Sequence, residues 1–198
     1  GKPYAPAVWK SAERTLDAYS ETWVDAQRLA CKAEAAGSQS QALLALRMNC
    51  LQRQLHEFET LVDVLAAVDS SALERVQDAI TKLPRPSECE DIDTLAQRAA
   101  SLDTPEKRAQ REHLDRENAR AQILRNTGRL DDALTTADAA LNTARAAGDR
   151  WSEADALATL ADIHDMRGDP VRGEQLFHEA MTAALASDHR SVVGRVAR

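Results

Sequence analysis

The chain has 198 residues, enough for one large domain or two small ones, and 43% of them are hydrophobic, so it can bury a core. A net charge of −7 argues against general electrostatic attraction to nucleic acid or an anionic membrane. Aromatics make up only 4%, and Ala, Leu, Arg, Glu, Asp and Gln dominate, which predicts an all-α chain with no sheet and no apolar run of the ~18 residues needed to cross a bilayer.

Residues 1 to 7 hold Pro3 and Pro6 and are expected to form an extended lead-in. A long helix is predicted from about Val8 to Ala36, with Trp9, Ala12, Leu16, Tyr19, Trp23, Ala26 and Ala30 as one apolar stripe. All three Trp residues, Trp151 included, read as core packing rather than a ligand box. Gly37 ends this helix, and Ser38 and Ser40 offer caps for the next, about Gln41 to Val68. Its stripe of Leu44, Met48, Leu51, Leu55, Phe58, Val62 and Leu65 is flanked by a second row of Leu43, Cys50, Leu61, Val64 and Val68. The short turn between the two helices implies an antiparallel hairpin.

Asp69 and Ser70 are expected to cap a third helix, about Ser71 to Lys82, which Pro84 and Pro86 terminate in the loop LPRPSECED. Asp91 or Asp93 caps a fourth helix to about Ser101. Asp103, Thr104 and Pro105 then start a fifth, running to Thr127. Its basic run from Lys107 to Arg120 is interrupted by acids and reads as a solvated face. Three further helices are predicted: one ending near Ala147, one from Trp151 to Arg167 and one from Val171 to Ala186. The N-terminal region is placed at residues 1–102 and the repeats at 103–198.

Gly128, Gly148 and Gly168 stand at even intervals, and laying Gly128 on Gly168 gives a period of 40 residues. In that register Ala121 meets Ala161, Ala140 meets Ala180, Leu141 meets Met181 and Ala144 meets Ala184. Small residues recurring beside large ones at such a period are the mark of stacked helix pairs. Gly128, Leu130, Ala133 and Ala140 resemble the second half of a tetratricopeptide (TPR) repeat, and Gly168, Pro170, Gly173, Phe177 and Ala180 form the second copy. Leu157, Leu160, Ala161 and His164 fit the first helix of that copy, whereas Glu117 and Arg120 stand at apolar places of the earlier one. The resemblance implies antiparallel helical hairpins stacked as a TPR-like α-solenoid. The chain opens GKPYAP without Met and closes on HRSVVGRVAR, like the start of a third repeat, so both ends are expected to be cuts in a longer protein.

The first half carries separate landmarks: Trp23, Cys31, GSQSQALLALRMNCLQRQL and AITKLPRPSECED. They resemble the region that follows the kinase domain in large bacterial serine/threonine protein kinases of the myxobacterial kind. Arg47, Cys50, Leu51, Leu83, Pro84 and Cys89 match, while Glu90 follows Cys89 where the family has Asp. The resemblance implies a parent enzyme that uses ATP to phosphorylate proteins, and a TPR part that recruits partners or senses a signal. The glycine-rich loop, the His-Arg-Asp loop and Asp-Phe-Gly are all missing from this stretch, so no catalytic or cofactor-binding residue is assigned.

Two readings of Cys31, Cys50 and Cys89 stay open. They are buried thiols acting as small hydrophobes, or Cys31 and Cys50, within one turn of opposite across the hairpin, form a disulfide. The resemblance favours the disulfide, since such kinases often carry a membrane span before this region, which would put it in an oxidising compartment. With no paired Cys or His at short spacing, no zinc site is assigned. By analogy with TPR arrays, a peptide groove would be lined by Asn118, Gln122 and Arg125, then Ala158, Asp162 and Asp165. The expected role is a non-catalytic scaffold for a protein or peptide partner, with no nucleic acid and no membrane insertion. A homodimer through the truncated last repeat is a further expectation. The alternative is the TPR regulatory region of a transcriptional regulator or cyclase.

Overall fold

Ser40, Thr104, Asp149 and Asp169 each accept the backbone N–H three residues on, at 3.2, 3.3, 3.2 and 3.1 Å, and each opens a helix. The computed structural model describes residues 4–67, 73–100 and 104–196. Among them there is no strand. The elements are α1 (Ala5–Ala35), α2 (Gln41–Ala66), α3 (Leu73–Thr81), a 3-10 helix (Pro86–Glu90), α4 (Ile92–Ala100), α5 (Pro105–Asn126), α6 (Leu130–Ala147), α7 (Arg150–Met166), α8 (Pro170–Ala186) and α9 (Arg190–Val196). The chain forms two units, Gly1–Ala99 and Ala100–Arg198. The expected caps Asp69, Ser70 and Asp103 lie outside the described residues.

In the first unit α1 starts at Ala5, earlier than its prolines suggested, because Pro6 falls in the first turn, where no helical N–H is needed. Helix α1 packs on α2 and α3, and the 3-10 helix packs on α2 and α1. Ala12 and Ala30 are fully buried, but Trp9 is 39% exposed and Val62 40%, so neither joins the core assigned to it. Helix α2 buries Leu51 and Leu65 of its stripe, Cys50, Leu61 and Val64 of the second row, and Gln54, while Val68 lies outside the described residues. Asp91, not Asp93, caps α4 by accepting the Thr94 N–H at 3.1 Å.

The disulfide joins Cys50 to Cys89, and Cys31 is an exposed free thiol. Both expectations for the cysteines are thereby corrected. The reason is register. Trp23 Nε1 donates to the Leu51 carbonyl at 2.8 Å, so the part of α1 beside Cys50 lies about two turns before Cys31. Two turns is about 11 Å along a helix, beyond the reach of a disulfide. Cys89 comes close because the segment read as an open loop folds back onto α2. Tyr19 Oη donates to Pro84 O and Gln54 Nε2 to Arg85 O, each at 3.0 Å. Cys50, Leu51, Cys89 and Leu95 form a buried cluster with Trp23, Ala26, Leu46 and Met48 against it.

In the second unit each helix from α5 to α9 packs on its successor, and α7 also touches both α5 and α9. The turns recur at 40 residues. Arg129 N–H bonds Leu124 O at 2.8 Å and Asp169 N–H bonds His164 O at 2.9 Å, around Gly128 (φ +87°) and Gly168 (φ +82°). One helix later, Asp149 N–H bonds Ala144 O at 3.0 Å and His189 N–H bonds Ala184 O at 2.8 Å. Here the left-handed residues are Gly148 (φ +67°) and Asp188 (φ +53°). Ala121, Ala133, Ala144, Ala161, Ala180 and Ala184 are fully buried, as residues at close helix crossings must be. Gly173 stands in the register of Ala133, and a Cβ there would come within 3.1 Å of the Ala161 carbonyl oxygen.

Candidate functional site

The six residues expected to line a groove sit on α5 and α7, which lie side by side. Of the six, Arg125 and Asp162 pair directly, while Gln122 and Ala158 engage residues outside the set. Gln122 Nε2 donates to Thr159 Oγ1 at 3.3 Å. One turn on, Asp162 Oδ2 accepts from both Arg125 Nη1 and Arg195 Nη2. Arg195 also donates to the Ala158 carbonyl at 3.2 Å. A polar ladder therefore runs from α5 through α7 to α9, and one carboxylate ties three helices. Asn118 and Ala158 are buried beneath this face. Asp165 is exposed. Arg125 keeps 12% of its side-chain surface exposed, Arg195 27% and Asp162 28%, so the ladder is reachable at its upper edge.

A second polar constellation went unread in the sequence. Arg111, inside the run taken for a solvated face, is buried and grips Asp149 through Nε and Nη2, both at 2.5 Å. Its guanidinium lies 5.7 Å from the Trp151 ring centroid. On Trp151 stacks His189, ring centroids 3.7 Å apart. In the 40-residue register Arg111 corresponds to Trp151 and Asp149 to His189. The same two places thus hold an ion pair at one level and an aromatic stack at the next. Because the two levels share no residue type, sequence alone gives no signal for either pair. Burial alone would raise the Asp149 pKa, but the Arg111 hydrogen bonds and charge, helped by Ser152, outweigh it and hold the carboxyl below its usual range.

His189 Nδ1 lies 3.0 Å from Ser191 Oγ, and Nε2 lies 3.1 Å from Asp155 Oδ2. The second contact lacks hydrogen-bond alignment, and the buried ring is held face-on by Trp151. This order of groups fastens the entry of α9 onto α7. A cleft of about 290 Å³ beside it is lined by Lys107, Arg111, Gly148, Arg150, Trp151 and Ser187, among others. Among the described residues no group of three His, Cys, Asp or Glu side chains is placed to hold a metal, and no helix is long and apolar enough to cross a membrane.

In the first unit the landmark residues Cys50, Leu51, Leu83 and Cys89 are all buried. Arg47 lies 4.0 Å from Glu90 and donates to Gln39 Oε1 at 2.8 Å. Burial, then the charges of Glu57 and Glu88, raise the Tyr19 pKa, which keeps its hydroxyl a donor to Pro84 O. No protein-family model, curated protein or solved structure matches this chain.

Proposed function

We propose that this chain is a non-catalytic protein-interaction or sensing scaffold whose second unit is a TPR-like solenoid. The observation that carries the reading is the coincidence of three features at one 40-residue period: the turns, the buried small residues, and the contact of α7 with both α5 and α9. In such an array the first helix of every pair lies beside the first helix of the next, which gives a continuous face for an extended peptide. The ladder gives that face fixed groups of both signs, Arg125, Asp162 and Arg195. Asp165 adds an exposed carboxylate at its end. A partner segment with basic and acidic side chains in alternation suits such a surface.

The wider assignment, to the regulatory region of a bacterial serine/threonine protein kinase, is supported by residue landmarks. Cys50, Leu51, Leu83 and Cys89, which carry the resemblance, are buried in one unit, where Pro84 accepts the Tyr19 hydroxyl.

The test of the scaffold reading is peptide selection on the purified chain against a random library. Enriched peptides are expected to bind the wild type and to lose at least tenfold in affinity to Asp165→Ala or to the pair Arg125→Ala, Asp162→Ala, with far-UV circular dichroism unchanged. Failure to enrich any peptide, or equal binding by these variants, overturns the groove. Reading the upstream gene tests the parent: a kinase domain supports the assignment, and a DNA-binding helix-turn-helix domain replaces it with the regulator.

A further inference from the structure

On α6, Asp131 pairs with Arg167, and Arg145 pairs with Glu153 at 3.0 Å and Glu179 at 2.9 Å. These two positions are where α6 meets the helix pair that follows it. Forty residues later they are Val171 and Leu185, and each is 67% exposed. Met166, the counterpart of the buried Asn126, is 45% exposed. Helix α8 thus turns apolar at the two places where α6 makes ion pairs.

The difference extends along the face. Val171, Gln175, His178, Thr182 and Leu185 step by four, three, four and three residues, and all five are exposed. That spacing puts them on one stripe of the helix, apolar at its two ends and uncharged at Gln175 and Thr182 between them. None of the five is an acid, a Lys or an Arg, whereas the matching stripe of α6 reads Asp131, Thr135, Asp138, Asn142 and Arg145. The ends of the stripe are symmetric, since Val171 and Leu185 each lie seven residues from His178, while Gln175 lies three before it and Thr182 four after. A copy of α8 turned end for end meets it with Val171 on Leu185, Gln175 beside Thr182 and His178 on His178. No like-charged Asp, Glu, Lys or Arg pair falls on the stripe, and the flanking Glu179 is held by Arg145 of its own chain at 2.9 Å.

We infer that this face takes a second copy of the chain, in a two-fold dimer whose axis passes His178. Self-complementarity about one residue is what an isologous contact requires. The inference is independent of what the α5–α7–α9 face binds.

The experiment is sedimentation equilibrium on the full chain carrying Cys31→Ser, which removes the exposed thiol as a source of cross-linking. A concentration-dependent dimer with a micromolar Kd is expected. Val171→Glu with Leu185→Glu should weaken it at least tenfold without loss of helicity. His178→Cys in the same background should form a disulfide-linked dimer under mild oxidation. A chain still monomeric at about 1 mM, a dimer that survives the two glutamates, or a His178→Cys variant that does not cross-link overturns the inference.

Discussion

The two units fix their helices by different means. The first has long helices with modest burial: of the 31 residues of α1, only Ala12 and Ala30 are buried. It is held by a disulfide and by side chains that reach backbone carbonyls, Tyr19 to Pro84, Trp23 to Leu51 and Gln54 to Arg85. The second has shorter helices whose alanines let backbones approach, and α7 alone buries 11 of its 17 residues. Cross-links compensate where apolar area is small, and close packing makes them unnecessary where it is large.

The largest expected effect tests the exception in the second unit, its buried ion pair. Arg111→Ala should destabilise that unit by about 3–5 kcal/mol, since it strands the Asp149 carboxylate. Chemical denaturation followed by Trp151 fluorescence measures it, with Trp9 and Trp23 replaced by Phe. The pair also gives a pH signature. Because the folded pKa of Asp149 is lowered, its contribution is fully present above the unfolded value of about 3.9 and is lost as pH falls from there through the folded pKa. Asp149→Asn should flatten the decline of stability below about pH 4, whereas an unchanged slope would show that other carboxylates govern it.

Second comes the staple of the first unit. Cys50 and Cys89 are separated by 39 residues, and closing a loop of that size stabilises by about 4 kcal/mol on the chain-entropy account. Cys50→Ser with Cys89→Ser should lower the melting temperature of the first unit and leave the second unmoved, read by hydrogen exchange of α2 against α7. Equal loss in both units would show that the disulfide does not stabilise the first unit selectively.

The smallest effect sharpens the register itself. Asp188 occupies, at φ +53°, the place that Gly148 holds at φ +67°. Asp188→Gly should raise stability by about 1 kcal/mol, and Gly148→Ala should lower it by a similar amount. If both substitutions shift the melting temperature the same way, the two turns are not equivalent.

The α-helices and their order were legible in the sequence, because caps, glycines and prolines act locally, but the 3-10 helix Pro86–Glu90 was not, and several predicted ends fall outside the described residues. The 40-residue period was legible too, since small residues recur where helices pack closely. Trp9 and Val62 were misread because a stripe says that a face is apolar, not that anything covers it. Arg111 was misread because charge in sequence says nothing of a distant carboxylate.

What the sequence by itself determined, then, is a helical chain with recurring turns, since those follow from backbone preferences within a few residues. Only the tertiary structure decided that Cys50 meets Cys89, that Asp162 joins Arg125 to Arg195, and that Asp149 meets Arg111. Each depends on which side of a helix faces its neighbour, and a slide of two turns between helices is invisible to local propensity while it changes every long-range partner.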